Sequence, residues 1–346
     1  MRWVLMFALL LLLVNIPNCL AESLYATGES FQLGLIVSEG GSVYVEDHKM
    51  PKLLLGGGKS TLYRLDDEGE ELEKVLDVAY SSSQFSVFGD SIVYSNDPFW
   101  MKLIGLMAND RMWYMSSHNK DRLLYEYNSK ENTKRRYFAI RGQLYYYQWP
   151  MDVDIQDEGH WEKLWKVTEQ GDVCLGEFKN VRLIPYETII SIEGEYITRD
   201  KVIKLYDVVH ERIIEIPYDP LVFSDIELFY RYDIIMRDGV VYMAHYDWVM
   251  GYDIPSREFF VIREGTGNNK LYADGDYIYI CDSHKCNLHQ YSPAERKTIA
   301  ELPYPEAVEH SYKAVINGKL VTWDTVKDII GVTDLKSGAT NLIEIR

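Results

Sequence analysis

Seven acids recur at one place in this chain, each just after a copy of a repeated strand, and most have an aromatic ring beside them. They are Asp47 beside His48, Asp97 near Phe99 and Trp100, Asp152 near Trp149, Asp200, Asp247 between Tyr246 and Trp248, Asp282, and Asp324 next to Trp323. A carboxylate accepts hydrogen bonds from hydroxyls or pairs with a cation, and a ring offers a flat apolar face. The combination suits a sugar or a basic peptide. Asp is a common turn opener in any protein, so each residue alone says little and the argument lies in the set. Glycoside chemistry would need two of these carboxyls about 5 to 9.5 Å apart, which spacing along the chain does not establish.

Other constellations point less far. Asp152, Asp154, Asp157 and Glu158 crowd a loop between Trp149 and Trp161 and could supply the oxygen ligands of calcium, or simply be a solvated acidic loop. The EF-hand pattern is absent, since Asp157 stands where Gly is needed and Lys163 where a bidentate Glu belongs. Cys281 and Cys286 flank a four-residue turn with His284; they could bond if their side chains share a face, or join a zinc site that lacks a clear fourth ligand. Gly56-Gly57-Gly58-Lys59-Ser60-Thr61 has the tail of a phosphate-binding loop, but Leu53 replaces the earlier Gly and Thr61 to Leu65 reads as a strand. His210-Glu211 is followed by Ile214 where a metalloprotease helix needs its second His. No catalytic motif and no cofactor follow from these residues.

The elements that would position the acids are strands. A Gly or Asn turn followed by alternating apolar and aromatic residues recurs after Gly41, Gly89, Gly142, Gly194, Gly239, Gly275 and Gly318, with a weaker eighth copy at Asn109 to Tyr114. A second hairpin follows, with turns opening at Asp66, Asn128, Thr168, Asp207, Asp253, Ser292 and Asp334. The mean spacing of these turns is about 45 residues, the length of a four-stranded antiparallel unit. Such a unit has two apolar faces and cannot bury either alone, so copies stack radially until a ring closes. The expected fold is all-β, a single β-propeller of seven four-stranded blades, with six or eight as the alternatives. The surplus hairpin at residues 84–95 is expected to be an insertion or half of a truncated blade. Asn341 to Ile345 is expected to pair within the final blade or with a strand near residues 22–36. Phe99 to Met115, the most apolar stretch after the leader, reads as blade strands or a Met-rich contact surface.

Ile278-Tyr279-Ile280-Cys281-Asp282 and Leu320-Val321-Thr322-Trp323-Asp324 resemble degenerate Tyr-Trp-Thr-Asp repeats. Such repeats belong to low-density-lipoprotein-receptor-type propellers and to exported bacterial propellers of unknown function. The resemblance implies a propeller and a tendency to bind other molecules, and it carries over no catalytic residue. Receptor propellers of that kind have six blades, one fewer than the repeats counted here.

Compartment and partners follow from the ends of the charge and hydropathy profile. Residues 1–21, with Arg2, an apolar run from Trp3 to Val14 and Cys19-Leu20-Ala21, read as a signal peptide, too short to span a bilayer as a helix. Cys19 as a lipid-modified residue is the alternative. Residues 22–346 are expected to form one propeller domain with no transmembrane span. The whole chain carries a formal charge of −17, which disfavours nucleic acid and anionic membrane as partners. Cys174, Cys281 and Cys286 are an odd set that cannot form a disulfide framework; Cys174 is expected to be buried in a strand. No Asn-x-Ser/Thr sequon occurs after the leader, which fits a bacterial exported protein.

The sequence therefore predicts a non-catalytic extracytoplasmic propeller that recognises a protein or glycan. Its expected rim comprises Asp47, Asp97, Trp100, Trp149, Asp152, Asp247, Trp248, Asp282, Trp323 and Asp324. The alternative is a carbohydrate-active hydrolase or lyase with paired carboxylates at the channel mouth.

Overall fold

The computed structural model describes the strands and, of their connections, residues 66, 68–71, 167–172, 188, 208–211, 238–239, 254–257, 275–276, 293–296, 317–318 and 335–339, together with residue 345. All regular structure among the described residues is β. The first sheet comprises β1 (Ser30–Val37), β2 (Val43–Lys49), β3 (Gly58–Leu65) and β4 (Leu72–Tyr80), and the second β5 (Phe85–Phe88), β6 (Ser91–Ser95), β7 (Arg111–Ser116) and β8 (Asn119–Glu126). The third holds β9 (Thr133–Ile140), β10 (Gln143–Pro150), β11 (Trp161–Lys166) and β12 (Val173–Lys179); the fourth holds β13 (Val181–Tyr186), β14 (Ile189–Gly194), β15 (Val202–Asp207) and β16 (Arg212–Pro217). The fifth is β17 (Asp233–Arg237), β18 (Val240–Ala244), β19 (Trp248–Asp253) and β20 (Glu258–Glu264). The sixth is β21 (Asn269–Asp274), β22 (Tyr277–Asp282), β23 (Asn287–Ser292) and β24 (Lys297–Leu302), and the seventh β25 (Tyr312–Ile316), β26 (Lys319–Asp324), β27 (Ile329–Asp334) and β28 (Thr340–Glu344). Each sheet is antiparallel, with its strands in chain order.

The first strand of each sheet is innermost. β1 touches β5 and β25, β5 touches β9, β9 touches β13, β17 touches β21, and β21 touches β25. The fold is a single β-propeller. Its core is the set of seams between sheets, because alternation along a strand sends neighbouring side chains to opposite faces. Ile190 and Ile192 of β14 pack with Tyr145, Tyr147 and Leu164 of the third sheet, while Ile189 packs with Ile234, Met243 and Tyr252 of the fifth. Burying each such side chain is worth about 1.5 to 3 kcal/mol.

The seam between the last and first sheets closes the same way. Val43, Val45 and Leu65 pack against Ala314, Ile316, Trp323, Ile330 and Val332. β28 pairs with β27 within the seventh sheet, so among the described strands none is shared across the closure. Polar pins reinforce the packing: Lys319 Nζ donates to the Glu68 carbonyl at 2.8 Å and Asn341 Nδ2 to the Gly69 carbonyl at 3.1 Å. Similar pins cross other seams. The Asp274 carboxylate accepts from the Asn317 and Gly318 amides at 2.9 and 2.6 Å, Thr188 Oγ1 donates to the Met236 carbonyl at 3.1 Å, and Arg296 reaches Asp253.

Six of the seven turn openers open the third-to-fourth strand turn of their sheets. Asp334 accepts from the Lys336 and Ser337 amides at 3.1 and 2.6 Å, and Asp253 from the Ser256 amide at 3.1 Å. Asn128 does not: β7 and β8 meet across Ser116 and Asn119, so Asn128 lies between sheets and outside the described residues. The same sheet corrects the reading of residues 84–95 as a surplus hairpin. They contribute β5 and β6, whose partner β7 holds Met112, Trp113 and Tyr114, the stretch that resembled another first hairpin. A long connection, residues 96–110, separates the halves and disguised one sheet as two repeats. Gly194 is also misread, because it ends β14; the turn before that strand is at residues 187 and 188, without glycine. Where the turns are Asp238-Gly239 and Asn317-Gly318, both residues have positive φ (51° and 78°, 48° and 70°), as a two-residue hairpin turn requires. Cys174 is in a strand as expected but is exposed.

Gly69 is constrained twice at the closing seam. Its φ is +72°, and a Cβ there would lie 2.8 Å from Val332 Cγ1, whereas Gly338, with φ +75°, has open space around it. Gly69→Val is expected to lower the unfolding free energy measured in urea by about 1 to 3 kcal/mol, strain and clash together, and Gly338→Ala by clearly less. A pH dependence also follows. The Ser337 hydroxyl and amide hold the Asp334 carboxyl below the usual range, and the Ser256 amide does the same for Asp253. Depressed carboxylates contribute stability above their unfolded-state pKa and lose it as pH falls through the folded value, so Tm is expected to drop between about pH 5 and about pH 3. In Asp334→Asn that drop should be shallower.

Candidate functional site

In antiparallel sheets joined in chain order, the connection after every second strand leaves at one end of the ring. That end also receives the connections between sheets. Of the sequence-predicted rim residues, Asp47, Trp149, Asp282, Trp323 and Asp324 lie near the ends of β2, β10, β22 and β26, and Trp248 starts β19. Asp97, Trp100, Asp152, Asp154, Asp157 and Asp247 lie outside the described residues.

The described members differ in burial. Trp149, near the end of β10, is half-buried and stacks on Tyr147 with ring centroids 5.2 Å apart. Trp248 opens β19, also half-buried, against the core of Ile234 and Met243. Asp324 is the last residue of β26. Asp47 is instead fully buried, opposite Leu33 and Thr61 on its neighbouring strands. Asp282 is buried at the end of β22, and Arg263 Nη2 of the fifth sheet donates to its Oδ2 at 2.9 Å. Trp323 is a core residue of the closing seam, with no exposed surface. Expecting a rim position for Trp323 fails because alternation along β26 points it at the first sheet, whatever the strand end does.

Asp282 thus acts as a seam pin, like Asp233, whose Oδ1 accepts from Lys270 Nζ at 2.9 Å and whose Oδ2 accepts from the Leu271 amide at 3.1 Å. Arg263 was not legible as its partner in the order of residues, since the two belong to different sheets 19 positions apart.

The remaining candidates resolve similarly. Gly58 to Leu65 is strand β3, with Ser60 and Thr61 buried and Thr61 Oγ1 donating to Asp77 Oδ1 at 2.8 Å, so no helix aims amides at a phosphate. His210 sits in the β15–β16 turn, its Nδ1 2.6 Å from Asp207 Oδ2, while Asp207 Oδ1 accepts from the Val209 and His210 amides. Cys281 is buried among Tyr279, Leu288 and Val315, and Cys286 lies outside the described residues. Among the described residues no group of three or more His, Cys, Asp or Glu side chains could hold a metal. Burial, with Glu211 and Asp207 nearby, pushes the Tyr206 phenol up to about 12; burial and the Asp172 carboxylate, accepting at 2.9 Å, push Tyr146 up as well. These phenols stay protonated at neutral pH and offer neither base nor nucleophile.

The fold is that of an all-β propeller. No protein-family model matches the chain, and no curated protein matches it in sequence. Solved structures do resemble it. Hsv2 of Kluyveromyces marxianus aligns over 92% of this chain and 98% of its own at 7% identity, with a TM-score of 0.51. The WD40 domain of SCAP from fission yeast aligns over 92% and 87% at 9% identity, with a TM-score of 0.49. A catalytically inactive virginiamycin B lyase from Staphylococcus aureus, solved with quinupristin, aligns over 92% and 97% at 10% identity, with a TM-score of 0.46. At these identities the likeness shows the fold alone. No helix among the described residues is long and apolar enough to cross a membrane.

The seam role of Asp282 is open to a direct check. Asp282→Ala leaves Arg263 in a largely desolvated position, so urea unfolding is expected to show a loss of about 3 to 5 kcal/mol, with Arg263→Met/Asp282→Leu recovering much of it.

Proposed function

We propose that this chain is an exported, non-catalytic propeller that recognises a protein or a glycan through the end where the second-to-third strand connections open. What supports this reading is that Trp149, Trp248 and Asp324 stand at or near strand ends of the third, fifth and seventh sheets, next in the chain to second-to-third strand connections such as those whose sequence holds Asp97, Trp100, Asp152 and Asp247. An acidic field favours a basic partner and aromatic faces favour a sugar ring. The carbohydrate-active alternative is weakened because two of its carboxyls, Asp47 and Asp282, are buried. Export rests on residues 1–21, read as a leader, with residues 22–346 as one domain. The seven four-stranded sheets, each touching its neighbours, support reading the ring as seven blades.

The test is a glycan array and a proteomic pull-down with the leader-free protein, followed by Asp152→Lys/Asp247→Lys. A partner whose affinity falls about tenfold or more in that variant, at unchanged Tm, is the expected result. Undiminished binding, or turnover of a polysaccharide by the wild type, would count against it.

A further inference from the structure

Among the described residues one aromatic side chain is exposed, Trp161, at 47%. A single apolar residue in water means little, so the weight falls on what surrounds it. Trp161 opens β11, and alternation along that strand places Trp161, Lys163 and Trp165 on one face, while Leu164 packs from the other face into the seam with the fourth sheet.

The order along this face is ring, ion pair, ring. Lys163 Nζ lies 2.7 Å from Glu177 Oε1 of β12, and both side chains are close to half exposed. Trp165 is half-buried, and Tyr146 of β10 stacks on it with centroids 5.9 Å apart and planes within 9°. Its register partner on β12 is Cys174, which is short and exposed, in place of a long side chain that could lie across the ring. Trp161 and Trp165 are four residues apart on an extended strand, about 13 Å.

This order selects among occupants. An apolar partner surface would strip water from Lys163 and Glu177 and offer them no hydrogen bonds in return. A second copy, or an anionic polysaccharide, would meet the field of a chain whose formal charge is −17. A neutral sugar meets neither obstacle: its C–H faces stack on indoles, and its hydroxyls donate to a carboxylate and accept from an amine.

We propose that this face of the third sheet binds a neutral oligosaccharide laid along β11, with Trp161 and Trp165 as stacking platforms and the Lys163–Glu177 pair bonding its hydroxyls between them. The platforms are not members of the expected rim, and the site stands whether or not the rim binds anything.

Isothermal titration of the protein with cellohexaose, laminarihexaose, maltohexaose and N-acetylchitohexaose tests this. Saturable binding of at least one is expected, about tenfold or more weaker for the disaccharide of the same linkage, which is too short to reach both rings. Trp161→Ala should lose about tenfold or more at unchanged Tm, Trp161→Tyr should keep part of the affinity, and Lys163→Ala/Glu177→Ala, which leaves no lone charge behind, should weaken binding severalfold. The proposal is overturned if none of the four binds, or if the disaccharide binds as well as its hexasaccharide. It is also overturned if Trp161→Ala binds as the wild type does, the result expected of a glycan held at the rim, which Asp152→Lys/Asp247→Lys would weaken instead. A dimer that Trp161→Ala dissolves would overturn it too, by assigning the face to a second copy.

Discussion

Each sheet in this chain is apolar on both faces, and that single constraint organises the molecule. A sheet such as β13 to β16 sends Ile190 and Ile192 one way and Ile189 and Leu205 the other, so it is stable only between two neighbours. A linear stack would leave two apolar faces in water at its ends. Closing the ring removes both, and the cluster around Trp323 and Val45 is where that happens. Polar side chains then add direction to packing that is otherwise unspecific. Carboxylates at turns and strand ends bond across seams to the backbone or to an arginine, fixing how far one sheet slides against the next.

Much of this was legible in the residues. The alternating Tyr, Val and Ile runs and the Asp, Ser and Thr turn openers mark strands and hairpins because their physics is local: a side chain bonding its own turn, a branched residue on a pleated surface. The misreadings arose where local signals were missing or duplicated. The turn before Ile189 has no glycine, and the connection between Ser95 and Arg111 is long enough to mimic a break between repeats.

The site was less legible than the fold, for a physical reason. Whether an acid at a strand end faces water or a seam depends on the neighbouring sheet, which lies tens of residues away. Asp282 closes a second strand as the repeat predicts, yet it meets Arg263 and is consumed by the framework. Trp149 and Trp323 both follow the Tyr-rich or Val-rich core of a second strand, yet one is half-buried and the other wholly enclosed. Strand parity decides the difference, and the sequence gives parity only when the strand boundary is known to the residue.

Because, among the described residues, every sheet is drawn from one stretch of chain and none borrows a strand from another, the unit of structure coincides with the unit of sequence. Duplicating or deleting such a stretch would leave every remaining ladder intact and disturb only the pair of seams on either side. An architecture of this kind can gain or lose members, and have its outward connections rewritten one at a time, without any step in which a sheet is left half built.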